Sequence, residues 1–414
     1  MGFKKIKGTT DFYPEEQLVQ DKIFAILKKK AENFGFEHVE PPAIENMQLL
    51  TAKSGEEIRG QIFPIEKRGK EEMGLRFEFT ASIARMFVEK QKALQKPVKW
   101  YSFNKAWRYE RPQSGREREF FQFNAELLGS KDYMADAEVI NLAIDILKGL
   151  GLQKNDFFVK LNNRKLLQGL LLEACTEDKV AQAIRIIDKK EKITKEEFEK
   201  ELRDVGVEAE GIKRIHNILG LSWSDLAEFD MNDIARQGYN ELKAVLELTY
   251  NDYIRFDISV ARGLDYYTGT VFEIFDSNEE FRSLCGGGRY DTMIEIFGGE
   301  SCPATGFGMG YSTVKLFLEK KGLLPKAEKE IDYLVVSVNE EYKEKAFDVC
   351  SKLRKNNSVL IDLMGRSLAK QMKYANQVNA KHVVFVGEEE VKSGKVKIKN
   401  MKTGDETHKN IEEL

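Results

Sequence analysis

Residues 107–129 read WRYERPQSGREREFFQFNAELLG, and this stretch decides the fold. Successive side chains of a strand point to opposite faces. Over 119–128 that places Phe121, Phe123, Ala125 and Leu127 on one side and Gln122, Asn124 and Glu126 on the other. An apolar row opposite a polar row predicts a sheet that packs on one face and holds a ligand on the other. A preceding strand within 98–110 delivers Arg108 and Glu110 to one face, and the turn adds Arg111, Arg116 and Arg118. The planar guanidinium binds oxyanions bidentately, so the joint pattern predicts a phosphate clamp rather than a solvated hairpin turn.

Toward the N-terminus, LRFEFTASIAR (75–85) puts Arg76, Glu78 and Thr80 on one face of an extended segment, where Glu78 and Thr80 suit an ammonium group. Helical spacing of Leu18, Ile23, Ile26, Leu27 and Ala31 predicts a helix over 16–35, ended by Gly35. HVEPPAIE (38–45) reads as an edge strand. Toward the C-terminus, 134–150 is a periodic helix, and 163–250 is almost wholly helical, which predicts a helical insertion. ISVARGLDYYTGTVFE (258–273) reads strand, turn, strand, with Arg262 and Asp265 exposed by the turn and Tyr266 and Tyr267 after them.

SLCGGGRYD (283–291) reads as a glycine-rich turn that lets backbone approach a ligand. It has neither the P-loop nor the Rossmann spacing. ATGFGMGYSTVKLFLEKKG (304–322) is a short strand running into a helix. After a charged linker at 320–330 the rhythm changes to strands alternating with helices, which predicts a separate α/β domain. Its basic residues Lys352, Arg354, Lys355, Arg366, Lys370 and Lys373, and an alternating row Lys392, Lys395, Lys397, Lys399, read equally as RNA phosphate contacts or as solvated faces.

Bulk properties bound the rest. The chain has 414 residues, 42% hydrophobic and 32% charged, which predicts two or three globular domains. A chain coated in nucleic acid would usually be basic overall, so at a net charge of −3 any polyanion would be held by local patches; the charge fits equally a chain that binds no nucleic acid. The four cysteines lack CxxC spacing, and none of the four histidines falls in the segments that could carry chemistry, so metal-ligand and histidine-base chemistry are not expected. No signal-peptide core and no 18-residue apolar stretch is present, so the expected setting is cytoplasmic, without membrane.

Taken together and in order, these segments resemble the class II aminoacyl-tRNA synthetases, specifically the histidyl-tRNA synthetases. KGTTDFYP (7–14) is similar to that family's opening signature. The first helix with HVEPPAIE resembles motif 1, a dimer element, with Pro42 at the motif's proline. WRYERPQSGREREFFQFNAELLG resembles motif 2, ARGLDYYTGTVFE and CGGGRYD the two histidine-specific motifs, and ATGFGMG the start of motif 3.

The resemblance implies an α+β fold: a class II catalytic domain over 1–325, its antiparallel sheet flanked by helices and carrying the insertion, then an α/β anticodon-binding domain over 331–414. It implies a homodimeric histidine–tRNA ligase that uses ATP and Mg2+ and acts on L-histidine and tRNA(His). Arg262 and Arg108 would be catalytic. Glu78, Thr80 and Gln122 would hold the ammonium. Glu126 and Tyr267 would bracket the imidazole, with Tyr290 nearby. Arg108, Glu110, Arg116 and Arg118 would hold ATP, and no protein metal cluster is implied.

One position departs from the family: Thr313 stands where motif 3 carries an arginine for the ATP tail. Tail binding then falls to another cation, with Arg116 and Arg118 as candidates. Two rival readings are a non-catalytic regulatory subunit of histidine biosynthesis and a module that senses uncharged tRNA. The first predicts loss of the catalytic arginine, yet Arg262 is present. The second needs a fused effector domain, for which 414 residues leave no room.

Overall fold

The computed structural model describes residues 2–52, 56–262 and 266–414. Asp265, singled out above, lies outside the described residues. Two compact units emerge, one of residues 1–13 with 19–325 and one of residues 14–18 with 326–414.

In the first unit the chain runs α1 (Pro14–Asn33, counted here from residue 19), β1 (Glu37–His38), α2 (Thr80–Lys90), β2 (Val98–Trp107), β3 (Glu119–Leu128) and α3 (Tyr133–Gly149). Then follow β4 (Phe157–Asn163), six α-helices over 164–248, β5 (Ile254–Phe256), β6 (Thr270–Asp276), β7 (Cys285–Arg289), β8 (Ala304–Gly310) and α4 (Tyr311–Lys320). The strands form one sheet in the order β1–β2–β3–β8–β7–β6–β4–β5. Its six central strands are antiparallel, and only β1 and β5, at the edges, pair in parallel.

The predicted alternation in β3 is what the sheet uses. Phe123, Ala125 and Leu127 enter the main core with α1 and α3, and Phe121 packs against it. Helix α3 is buried nearly all round, with Ile140, Ile144, Ile146 and Leu147 fully inaccessible. Each such side chain contributes about 1.5–3 kcal/mol relative to exposure. Asp132 caps α3 by accepting from Met134 N at 2.8 Å, and Asn163 opens the helical run by accepting from Lys165 N at 2.9 Å.

Two local expectations change. CGGGRYD does not make a tight turn: Cys285–Arg289 is β7, a central strand. Its glycines answer to neighbours across the sheet, since a Cβ on Gly287 would collide with Gly306 O of β8 and one on Gly288 with Thr270 O of β6. The 75–85 segment is not extended throughout: Thr80 opens α2. Arg76 turns away from Glu78 and Thr80 into the interior, where it is 1% exposed and its guanidinium donates to Pro41 O, Pro42 O and Lys105 O.

The second unit carries a five-stranded sheet of β9 (Ile331–Ser337), β10 (Val359–Ile361), β11 (Ala380–Val386), β12 (Lys395–Asn400) and β13 (Glu406–Asn410), ordered β10–β9–β11–β12–β13. Consecutive residues of β9 are buried on opposite faces, Val335 with Ala346 and Val349, Leu334 and Val336 with Ala375. That double burial is the signature of a sheet covered on both sides by helices. Lys392 is not in the lysine-rich strand; it lies on the short helix Glu388–Ser393 and pairs with Glu388. Lys352 pairs with Glu412 at 2.9 Å, Lys397 with Glu406 at 3.6 Å, and Arg366 with Asp362 at 2.5 Å.

Candidate active site

The polar face of the first unit's sheet floors a cavity of about 220 Å³. From β3 come Gln122, Asn124 and Glu126; from the α2 entrance Glu78 and Thr80; from the end of β2 Arg108. The 258–273 segment contributes Arg262, Tyr266 and Tyr267, and Cys285, Gly286 and Tyr290 come from β7 and just beyond it.

The glycines of β7 and β8 make this room. Gly306 lies opposite Glu126 across the β3–β8 pair, and Gly308 opposite Asn124. A Cβ on Gly306 would collide with Glu126 Oε2 and sit 2.7 Å from the Tyr290 hydroxyl; one on Gly308 would stand 2.9 Å from Gln122 Nε2. A Cβ on Gly286 would strike the Arg262 guanidinium. Bare backbone therefore lets a carboxylate, a phenol and a guanidinium share the space over two strands.

Glu126 is 2% exposed, and its Oε1 accepts from Thr80 Oγ1 at 2.9 Å and Asn124 Nδ2 at 3.3 Å. Asn124 Oδ1 in turn accepts from Gln122 Nε2 at 2.6 Å. The Tyr290 hydroxyl is buried and has no hydrogen-bond partner among the described residues. Tyr266, Tyr267 and Tyr290 cluster with ring centroids 4.6–6.4 Å apart. Burial raises the Tyr266 pKa, and Glu78 adds to that, so the phenol is a proton donor at neutral pH.

Two arginines face the cavity. Arg262 has φ +42°, a left-handed conformation costly for a side-chain-bearing residue. Its Nη1 is buried, 3.7 Å from Glu273 Oε1, with its guanidinium 5.6 Å from the Tyr267 ring centre. Burial disfavours its charge, but Tyr267, Glu273 and Tyr266 together raise its pKa above the ordinary value. Arg108 donates to Phe77 O at 3.0 Å; burial lowers its pKa, against the pull of Glu78 and Tyr266.

A second cavity of about 210 Å³ shares Arg108, Gln122, Ser283 and Gly310 with the first. Glu110, Gly115, Arg116, Glu117, Arg282, Ser312 and Thr313 line it. Of the residues singled out from the sequence, Arg262, Arg108, Glu78, Thr80, Gln122, Glu126, Tyr267 and Tyr290 lie together in the first cavity, and Glu110 and Arg116 in the second. Arg118 lines neither: its Nε donates to Glu110 O at 3.1 Å and its guanidinium stacks 4.6 Å from the Tyr109 ring. Sequence reasoning assigned no role to Asn124, Glu273 or Arg282. Asn124 carried a signal in its place on the polar face; the other two carried none.

Residues 8–314 match the family described as Histidyl-tRNA synthetase, and residues 332–414 match the Anticodon binding domain family. The chain belongs to the histidyl-tRNA synthetase family. It is 40% identical over 409 residues to a histidine–tRNA ligase of Natronomonas pharaonis, covering 97% of this chain and 94% of the relative. Against the histidine–tRNA ligase of Pyrococcus furiosus the identity is 36% over 423 residues, covering 99% and 97%. The structure is similar to a crystal structure of histidyl-tRNA synthetase from Nostoc sp. PCC 7120, with a TM-score of 0.81, 25% identity, and coverage of 100% and 99%.

Histidyl-tRNA synthetases are aminoacyl-tRNA ligases that use ATP, and the activity is histidine–tRNA ligation rather than that of a regulatory subunit. No helix among the described residues is long and apolar enough to cross a membrane.

Proposed function

We propose that the cavity over β3 and β8 activates histidine and that its residues divide the work as follows. The carrying observation is the convergence of Glu126 and the Tyr290 hydroxyl over Gly306. Neutral imidazole has one donor and one acceptor nitrogen. Glu126, oriented by Thr80 and Asn124, accepts from the first. Tyr267 or Tyr290 donates to the second. A pocket that pairs both nitrogens discriminates by roughly 10⁴-fold or more against side chains that leave one buried partner unmatched. Glu78, Thr80 and Gln122 take the ammonium group.

The histidine carboxylate is already a nucleophile. It attacks the α-phosphorus of ATP and pyrophosphate departs, so no protein base is required. Charge developing on the phosphoryl oxygens falls beside Arg108 and Arg262, fixed cations that lower the barrier. The terminal hydroxyl of tRNA(His) then attacks the acyl carbon of the adenylate, releasing AMP.

Mg2+ is bound mostly through substrate phosphates with one or two carboxylates. Glu110 and Glu117, which both line the second cavity, fit that donor set and would hold it, and it would offset charge on the polyphosphate. Among the described residues no cluster of three or more His, Cys, Asp or Glu side chains exists to bind a metal without substrate.

The domain limits of 1–325 with its insertion at 163–250 and 331–414, homodimerisation through the motif 1 segment, and a cytoplasmic setting complete the reading, supported by the family resemblance. Exchange of pyrophosphate into ATP, tried with each amino acid, tests the activation step: exchange should appear with histidine alone. Absence of exchange with every amino acid would end the assignment.

A further inference from the structure

We propose that Arg282, on the segment joining β6 to β7, is the cation that grips the distal phosphates of ATP, in place of an arginine at position 313. This rests on the ATP site proposed above. Thr313 is 8% exposed, and its Oγ1 would lie 3.4 Å from a Cβ on Gly115 of the 107–129 turn. Position 313 therefore faces the second cavity, but with a neutral hydroxyl. Arg282 lines that same cavity with Arg108 and Arg116.

Three guanidinium groups around one cavity repel each other unless an anion sits between them. Their mutual influence is seen at Arg116, whose pKa burial lowers and whose neighbours Arg282 and Arg108 lower further. The three differ in how far their charge is already answered. Arg116 pairs with Glu110. Arg108 is buried with Glu78 as its largest electrostatic counterweight. Arg282 is exposed and has no ion pair among the described residues.

What holds Arg282 is neutral. Its Nη2 donates at 2.9 Å to the Oε1 of Gln113, in the turn between β2 and β3. That bond orients the guanidinium without cancelling its charge, and it leaves the remaining N–H donors of the group available. Glu117, the other carboxylate of the cavity, keeps its charge while accepting from Thr10 and from Ser312 Oγ at 2.7 Å, and it forms no ion pair with Arg282 among the described residues. The second cavity thus offers an oriented cation with no ion pair among the described residues, and Arg282 does not line the imidazole pocket. Arg108 lines both cavities, so a polyphosphate held at its α-phosphate by Arg108 and continuing into the second cavity would meet Arg282.

The test is a nucleotide ladder. Binding of ATP, ADP and AMP to the full chain and to Arg282→Ala is measured by calorimetry, and the KM values for ATP and histidine by pyrophosphate exchange. A charged hydrogen bond is typically worth about 1.5–3 kcal/mol, so ATP affinity should fall roughly ten- to a hundredfold. AMP affinity and the KM for histidine should stay within about twofold, which also shows that the variant is folded. An unchanged ratio of ATP to AMP affinity in Arg282→Ala would overturn the proposal. If instead the unaltered chain bound ATP no better than AMP and supported no exchange, the ATP site itself would fall and this assignment with it.

Discussion

Arg262 and Arg289 come from the two histidine-specific stretches and lie on either side of the same strands, yet they live in opposite environments. Arg289 is almost fully buried and almost fully answered. Its Nε donates to Asp136 at 2.9 Å, Nη1 to Ser130 O at 2.9 Å and Asp291 at 3.1 Å, and Nη2 to Asp132 O at 3.0 Å. Arg262 faces the cavity with a buried Nη1 that has no hydrogen bond among the described residues and one carboxylate at 3.7 Å. Buried polar groups in proteins are overwhelmingly hydrogen-bonded. Arg289 is satisfied by its own chain, whereas Arg262 keeps a buried donor without a hydrogen bond, which suits the proposed role of meeting a substrate anion. The Asp136 carboxyl shows the cost of the structural role: burial pushes its pKa up, and Arg289 pulls it back.

The comparison breaks most visibly at Arg289. Arg289→Met removes the partner of a carboxylate only 4% exposed. Removing one member of a buried pair typically costs about 3–5 kcal/mol, so urea denaturation should show a loss of that size. Arg289→Met with Asp136→Leu should recover much of it, since the orphaned charge is gone. A single variant within about 1 kcal/mol of the unaltered chain would sink the structural assignment.

Arg262→Ala should do the reverse. Removing one preorganised donor to a developing oxyanion costs roughly a hundredfold or more in rate, so histidine-dependent exchange should fall by at least that factor. Its loss of stability should be smaller than that of Arg289→Met, because only one distant ion pair is given up. Near-normal exchange would remove Arg262 from the reaction; a stability loss equal to that of Arg289→Met would erase the distinction between the two residues.

From the sequence these two arginines look alike, each beside glycines and tyrosines in a short motif; the turn reading singled out Arg262, but only the family resemblance gave it a catalytic role. The difference lies in partners more than a hundred residues away, such as Asp136 for Arg289, which no local pattern encodes. Periodicity, by contrast, is local: the period-two row through Phe121–Leu127 foretold both the packed and the polar face of β3. Glycine has no side chain to show a period, so CGGG reads as a turn although it is a central strand. The reason for those glycines is clearance for Arg262 and for neighbouring backbone, again a non-local cause. Arg282 escaped notice for the same reason, because nothing in EEFRSLC distinguishes it from an ordinary loop cation.

The smallest effect sharpens the comparison most. Tyr290 is 2% exposed, and its hydroxyl is buried with no hydrogen-bond partner among the described residues. An unmatched buried hydroxyl weakens the folded state, and replacing it with an apolar group of the same shape is neutral or stabilising. Tyr290→Phe should therefore leave the unfolding midpoint unchanged or slightly raised. If the hydroxyl finds its partner only in the substrate imidazole, the KM for histidine should rise by roughly tenfold, equivalent to one hydrogen bond of about 1.4 kcal/mol, with the KM for ATP unmoved. A drop in stability would mean that the hydroxyl is answered within the fold, like Arg289. An unchanged KM for histidine would leave Tyr267 as the phenol that donates to the ring.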